Sequence, residues 1–578
     1  MSATQALRAT KDSIFRPRAG FTWNRQSFII LPVIACMMYL VIVPLIFLLW
    51  SSFRSTPIGV PGPLTLQNYV RAYTDPQTYS LLGNTLIFSV GSVAVSILLG
   101  VSFAWLLERT NVPFKDAIYT FIPIPMIVPG ILFSIAWVLL LSPTIGLVNV
   151  SLVKWFNLSG PPINVYSLPS MILLDGLHSI PITFLILSGA FRRMDPALEE
   201  ASAVAGAGIL TTLRRITIRV LSPTVLAAVI YLLISAMDSF EIPGVIGLRA
   251  GIHVLALKIY LARQDVPPDY GLIGTLSVLL LGLSALLAIV YGRITRESAR
   301  YATITGKNYS PKIYDLGRGK YVALGFFAAY FLLTVVLPVF VLVWASLLPF
   351  YQVPSAKALS TVSLAKYWEL WEFPNVGLAF TNTFLMVLCA PTITMLICSI
   401  FSWFIVKARV RGSRVLDILA FLPHAIPGIV FGVALMWTYA FIPIHIYGTL
   451  WILLIAYVTS RIPFGTRLMN AAMTQLHKEL EEASYTSGGT WGKTFRKITL
   501  PLLLPAVMNG WLVSAILVAK AMGTVIMLYG QDSIVISVLV WELWEGGDVS
   551  GTAAVGVILI VLLMAVTFFA RKYVTRTL

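Results

Sequence analysis

Long apolar runs alternate with short polar loops along the whole chain of 578 residues. A transmembrane helix needs about 20 apolar residues, and many of these runs reach that length. The pattern therefore predicts an all-α, polytopic membrane protein with about twelve spans. The spans are predicted at 28–51, 83–107, 117–141, 166–190, 223–247, 271–293, 321–347, 379–406, 415–442, 446–470, 503–529 and 551–571.

The composition agrees with a membrane protein. Hydrophobic residues make up 58% of the chain and charged residues 11%, whereas a soluble domain carries about 25% charged residues. A membrane barrel would instead show short segments of alternating polarity, and the sequence lacks them. The three cysteines lie in apolar runs and the five histidines are scattered. Neither the cysteines nor the histidines predict a metal site, and no cofactor is expected.

The basic residues indicate how the chain is oriented. The formal net charge is +17, but the positive residues lie in separate loops, so nucleic-acid binding is not expected. Loops rich in Lys and Arg stay on the cytoplasmic side of a membrane. With twelve spans, this rule places both termini in the cytoplasm. It also places the basic loops there, namely 108–116, 192–222, 294–320, 407–414 and 471–501.

One polar motif occurs twice between apolar runs. The stretch from Glu199 to Gly206 recurs from Glu481 to Gly488, 282 positions later. Each copy reads as a short helix that ends at a glycine, followed by a second helical run. Such a repeat indicates an internal duplication. The repeated residues are Glu199, Glu200, Ala201 and Gly206 in the first copy, and Glu481, Glu482, Ala483 and Gly488 in the second.

The duplication extends over both halves of the chain. Pro129-Gly130 matches Pro427-Gly428 at an offset of 298, while Pro181 matches Pro463 at 282. The first half must therefore hold about sixteen extra residues, and we place them in the loop 142–165. Two parallel six-helix repeats would be related by an axis along the membrane normal. The predicted units are a cytoplasmic tail 1–27, a first half 28–293, a linker 294–320 and a second half 321–578.

The second copy of the motif carries a family resemblance. Its pattern is Glu-Ala-Ser-x-x-x-Gly, nine residues, then Ile-x-Leu-Pro, ending at Pro501. This resembles the EAA loop of ABC importer permeases; the first copy departs from it at Ile218 and Arg219. The resemblance implies a fused permease of a type I ABC importer in the bacterial inner membrane. It also implies that loops 192–222 and 471–501 dock on two copies of an ATP-binding cassette subunit.

The resemblance further implies a periplasmic solute-binding protein as a partner. A fused chain is similar to the group that carries ferric iron, so ferric iron is the first expectation for the substrate. Thiamine, a polyamine and 2-aminoethylphosphonate are the alternatives. Residues 487–494 approach a phosphate-binding loop but lack its first glycine and the preceding strand. ATP hydrolysis is therefore expected on the partner, and the chain is expected to be non-catalytic.

Ionisable residues inside predicted spans are candidates for the transport pathway, because they are expensive in a bilayer. Asp238 and Lys520 are 282 positions apart, so they occupy equivalent places on the predicted fifth span of each half. Our hypothesis is that they approach one another as a gate or a strut. The alternative is that each pairs within its own half. Glu241 and His424 are further pathway candidates, although for His424 the favoured alternative is a hydrogen-bonded structural role.

A second class of protein fits part of this pattern. An ion-coupled secondary transporter would also have twelve spans, with Asp175, Asp238 and Glu241 as coupling residues. It would not need two equivalent docking loops. Neighbouring genes for an ATPase and a secreted binding protein would distinguish the importer from this alternative.

Overall fold

The computed structural model describes residues 25–298 (except 55, 57–59, 61 and 196), 313–408 and 412–574. Regular structure in these ranges is helical, and only two isolated β-bridges occur there. Nine of the described helices are long and apolar enough to cross a membrane, or up to twelve if each bent pair is one span. The all-α class and about twelve spans are confirmed. Most of the predicted tail and the middle of the linker lie outside the described residues.

The spans follow the same order in both halves. In the first half the continuous spans are Arg25–Ser52, Pro76–Arg109, Leu168–Arg193, Leu213–Met237 and Tyr270–Ser298. In the second half they are Gly319–Ser346, Pro374–Lys407, Trp491–Ala519 and Val549–Val574. The long helix Leu450–Gln475 is not among the nine and stands in the place of Leu168–Arg193. Shorter helices are Gln67–Thr74, Leu147–Phe156, Ala197–Val204, Ile209–Thr212, Ala356–Ser360, Ala365–Glu369 and Glu479–Thr486.

The third span of each half is broken, where the sequence predicted continuous helices. Lys115–Ile127 and Gly130–Leu141 meet at 92°, and Ser413–Ala425 and Gly428–Phe441 meet at 107°. A proline disfavours helical backbone in the residue before it. Val128 before Pro129 and Ile426 before Pro427 are accordingly extended, with ψ near 120°. The two Pro-Gly pairs that match at an offset of 298 therefore mark the breaks in the third spans.

The fifth spans end earlier than predicted. The predictions of 223–247 and 503–529 are wrong at their ends, because the helices stop at Met237 and Ala519. A charged residue follows each stop. Pro243 and Gly244 then interrupt the apolar run in the first half, and Gly523 and Gly530 interrupt it in the second. The first half continues as a bent pair, Pro243–Ala250 and Leu255–Gln264, at 79°. The second half continues as Val525–Met527, Gln531–Ser533 and Ile536–Glu545.

The predicted insertion in loop 142–165 is confirmed. It forms the helix Leu147–Phe156, which the second half lacks between Phe441 and Leu450. The Asn149 side chain holds the insertion in place. Its Nδ2 donates to the carbonyl oxygens of Leu141 and Ile163, both at 2.7 Å.

The first span of each half packs on the broken span of the other half. Trp50 lies edge-on to Phe441, with ring centroids 4.9 Å apart. In the reciprocal contact, Phe121 and Phe331 have centroids 5.1 Å apart. Each half therefore completes the packing of the other, which ties the two repeats into one bundle.

The second and fourth spans pack closely in both halves. The small residue at their crossing lies on the second span in the first half and on the fourth span in the second half. Gly100 faces Thr183 in the first half. Their equivalents are Cys398 and Gly465, so the small residue has moved to the other helix. A Cβ on Gly465 would lie 2.7 Å from Cys398 Sγ. The two crossings therefore hold side chains of similar combined volume, although the residues at both positions differ.

We predict that Gly465→Thr destabilises the protein, because the added side chain overlaps Cys398. Overpacking of this kind costs about 1–3 kcal/mol. Thermal denaturation in detergent should show a lower Tm, and adding Cys398→Gly should restore it by recreating the first-half pairing. Gly282→Ala is the control, since nothing lies within 4 Å of the new Cβ. A double variant as unstable as Gly465→Thr would contradict the exchange.

Candidate coupling loops and pathway cavity

Both repeated motifs fold as a helix, a glycine turn and a second helix. The first helices are Ala197–Val204 and Glu479–Thr486. The turns contain Gly206 at φ +80° and Gly488 at φ +78°. Side chains rarely adopt this left-handed conformation, so glycine is the residue that allows the turn. The two loops therefore share one backbone shape.

The two loops also share their internal hydrogen bonds. In each loop the motif serine bonds to a threonine ten residues later, and the first glutamate accepts from a threonine eighteen residues later. The threonine that bonds the glutamate lies in the first part of the fifth span, directly before its 20-residue α-helix. The loop is therefore tied to that span. The bonds are Ser202–Thr212 (2.8 Å), Ser484–Thr494 (2.8 Å), Thr217–Glu199 (2.6 Å) and Thr499–Glu481 (3.0 Å).

The last residue of the second span anchors each loop. Arg109 Nε donates to Glu199 Oε2 at 2.8 Å, and both side chains are 1% exposed. Lys407, its equivalent, donates to the Leu476 carbonyl at 2.6 Å. The sequence analysis missed both cations, although their equivalence at the offset of 298 was a usable signal. Glu199 is thus an internal brace and lies away from the surface.

The other motif residues lie on the outer face of the loops. Ala201, Gly206, Glu482, Ala483 and Gly488 are exposed, while Glu200 and Glu481 are half-buried. Apolar side chains project beside them: Leu198, Val204, Leu480 and Tyr485 are exposed as well. Burial, followed by the nearby Glu481 charge, raises the pKa of Tyr485 above its ordinary value. Each loop offers a small-residue face with an apolar rim.

A polar cavity of about 270 Å³ lies where the two halves meet. It collects residues that are far apart in the sequence, including two of the predicted pathway residues, Asp238 and Glu241. Ser239 Oγ donates to Asp175 Oδ1 at 3.2 Å within it. The polar and charged lining residues are Asp175, His178, Ser179, Ser235, Asp238, Ser239, Glu241, Arg461 and Thr524.

Asp238 and Lys520 each bond to the opposite half, at the broken third span. Asp238 Oδ1 accepts from the Ile429 backbone amide at 3.2 Å. Lys520 Nζ donates to the Met126 carbonyl at 2.7 Å. The hypothesis that the two residues approach one another as a pair is therefore corrected, since the ion pairs of 4.0 Å or less in the described part of the chain do not include this one. The alternative of pairing within each half is not seen either, because both bonds cross to the other half. Backbone partners leave no signal in a sequence.

Glu241 and His424 lie at the same breaks. The Glu241 carboxylate contacts the place where a Cβ on Gly130 would stand. His424 is outside the cavity lining and stacks on Tyr231 of the first half, with ring centroids 4.6 Å apart. Its position is equivalent to that of Met126. The His424 ring thus packs between the halves. Its buried Nε2 has no hydrogen-bond partner among the described residues, so the hydrogen-bonded structural role is not seen and the pathway role stays a prediction.

A polytopic helical protein with two equivalent halves, a polar cavity at their junction and a pair of equivalent loops is a membrane transport permease. The chain belongs to the family described as the binding-protein-dependent transport system inner membrane component, which matches residues 96–297 and 395–578. The two matches fall in the two halves. The protein is accordingly a multi-pass inner-membrane component of a transport system.

Similar proteins align over both halves. The chain is 27% identical over 556 residues to the ferric transport system permease protein FbpB of Actinobacillus pleuropneumoniae, covering 93% of this chain and 77% of that protein. It is 22% identical to the Fe(3+)-transport system permease protein FbpB 2 of Haemophilus influenzae, covering 96% and 99%. A bacterial ABC transporter structure involved in alginate import matches 52% of this chain at 18% identity and a TM-score of 0.39.

We predict that Arg109→Met strongly destabilises the protein, because it leaves the Glu199 carboxylate buried without its partner. Breaking a buried pair on one side costs about 3–5 kcal/mol. Thermal denaturation should show a large drop in Tm, and adding Glu199→Leu should recover most of it. Asp417→Asn is the control, since it removes an ion pair with Arg467 that is 3.5 Å long and partly exposed. Equal effects from Arg109→Met and the control would contradict the buried brace.

Proposed function

We propose that this chain is the permease of an ATP-driven importer whose loops 192–222 and 471–501 dock on two copies of a cytoplasmic ATP-binding cassette subunit. The observation that carries the proposal is the equivalence of the loops. They have the same turn and the same internal bonds, and both expose small residues. Two equivalent surfaces suit two copies of one partner. ATP hydrolysis then takes place on that partner, and the permease itself is non-catalytic.

The bonds within the loops suggest how movement reaches the membrane. The glutamate–threonine bonds tie each loop to the beginning of the fifth span. The fifth spans end at Met237 and Ala519, beside Asp238 and Lys520 at the junction of the halves. A displacement of the loop by the ATPase therefore shifts a helix whose far end reaches the polar cavity. Each loop can then move as a unit, and alternating access comes from the shift of the fifth span.

The orientation follows from the basic loops. Positive loops remain in the cytoplasm, which puts the docking loops on the side of the ATP supply and both termini with them. The opposite face is then periplasmic. The family description, with its dependence on a binding protein, supports a periplasmic solute-binding protein as the partner on that face.

Ferric iron is the proposed cargo. The support is that relatives aligned over 93% and 96% of this chain are named as ferric transport permeases. Among the residues that the structure describes, no group of three His, Cys, Asp or Glu side chains is arranged to hold a metal ion, so the proposed cargo rests on these relatives alone. Delivery by the binding protein would load the cation from the periplasm.

We predict that Gly488→Pro and Glu482→Lys abolish coupling. Proline fixes φ near about −65°, whereas Gly488 stands at +78°; the lysine reverses a charge on the exposed face. Loss of a central contact should lower affinity for the ATPase by about tenfold or more. The measurement is ATP-dependent uptake of radiolabelled ferric iron by proteoliposomes that hold permease and ATPase, with loaded binding protein.

Gly492→Ala is the control in the same loop, because nothing lies within 4 Å of its new Cβ. It should leave uptake unchanged. Uptake that persists without any ATPase and follows an ion gradient would overturn the importer. Asp175, Asp238 and Glu241 would then be coupling residues of a secondary transporter.

A further inference from the structure

We propose that two reciprocal contacts, Asp238 with Ile429 and Lys520 with Met126, form a lock that holds the two halves together at the cavity. The lock opens when the fifth spans shift, and this step rests on the proposed function of the coupling loops. The contacts that form the lock all lie within this chain.

The lock follows the symmetry of the duplication. Asp238 and Lys520 are equivalent, and each directly follows the last residue of its fifth span. Each side chain reaches across to the third-span break of the other half. Separating the halves at the cavity must therefore break both contacts together.

The opposite charges suit the opposite ends of the broken helices. A helix begins with unpaired amides and ends with unpaired carbonyls, so its beginning attracts anions and its end attracts cations. Asp238 accepts from the second amide of Gly428–Phe441. Lys520 donates to a carbonyl in the last turn before the Pro129-Gly130 break. One break is thus held at its amide end and the other at its carbonyl end.

Glycine at the breaks lets the charged groups approach. A Cβ on Gly428 would lie 3.0 Å from Asp238 Oδ2 and 2.7 Å from Thr524 Oγ1. A Cβ on Gly130 would meet the Glu241 carboxylate, which lies at the amide end of that helix. Glu241 thereby supplies at the first break the anion that Asp238 supplies at the second.

The lock is placed to respond to the coupling loops. A helix of 20 residues, Ile218–Met237, joins Thr217 of the first loop brace to Asp238. Leu500–Ala519, also 20 residues, joins Thr499 to Lys520 in the second half. Each loop brace and its lock residue therefore lie at opposite ends of one helix.

The test measures access to the cavity in the permease alone, without ATPase or substrate. Cys36 and Cys389 are replaced by alanine, and Ser179→Cys puts a thiol in the cavity lining. Buried Cys398 stays as an internal reporter of unfolding. Reaction with a membrane-impermeant maleimide should be slow in this parent. Asp238→Leu, which removes the acceptor, or Lys520→Met should raise its rate by about tenfold.

Two controls separate opening from misfolding. Each variant is also labelled without Ser179→Cys, when only unfolding would expose Cys398. Asp269→Asn removes an ion pair with Arg71 that lies within the first half, and it should leave the rate unchanged. Labelling of Asp238→Leu and Lys520→Met at the parent rate would overturn the lock. Because no ATPase is present, that failure is distinct from failure of the importer proposal.

A charge exchange tests the helix-end chemistry. Asp238→Lys with Lys520→Asp would put a cation at the amide end and an anion at the carbonyl end. Labelling should be at least as fast as in either single variant. Recovery of slow labelling would mean that Asp238 and Lys520 pair directly, and it would overturn the proposed partners. Lys520→Arg keeps the cation and should remain slow.

Discussion

The need to satisfy backbone polar groups away from water governs the middle of this protein. A continuous membrane helix satisfies its own amides and carbonyls, but the breaks at Pro129-Gly130 and Pro427-Gly428 interrupt that ladder. Freed groups inside a bilayer need partners from the protein. Asp238 and Lys520 supply them, each from the opposite half. The junction that forms the cavity is therefore also what makes the broken spans tolerable.

The two halves share the order of their spans but are complementary in side chains. The coupling loops keep the same bonds in both copies, as suits two copies of one partner. At the centre the copies differ: Asp238 stands opposite a helix beginning, and Lys520 opposite a helix end. The Gly100–Thr183 crossing is likewise inverted as Cys398–Gly465. Fusion into one chain allows such differences, because each half always meets the same neighbour.

Sequence patterns predicted the features that depend on residue type and spacing. Apolar run length gave most spans, repeat offsets located the inserted helix, and the glycines gave the turns at Gly206 and Gly488. The angles at the breaks could not be predicted from the sequence, because a Pro-Gly pair does not determine the direction in which the helix bends. The partners of Asp238 and Lys520 also escaped prediction, because backbone groups are the same in every residue. The burial of Glu199 was not predicted either, because its partner Arg109 lies ninety positions away in the sequence.

The proposed lock requires the halves to separate at Asp238 and Ile429 during transport. These two positions can be joined reversibly. Asp238→Cys and Ile429→Cys are linked by a short, reducible bifunctional thiol reagent in a background without Cys36 and Cys389, and ATP-dependent uptake is followed before and after reduction. Linking should stop uptake while the ATPase stays bound, and reduction should restore uptake to the unlinked level. Full uptake with the link in place would contradict the lock.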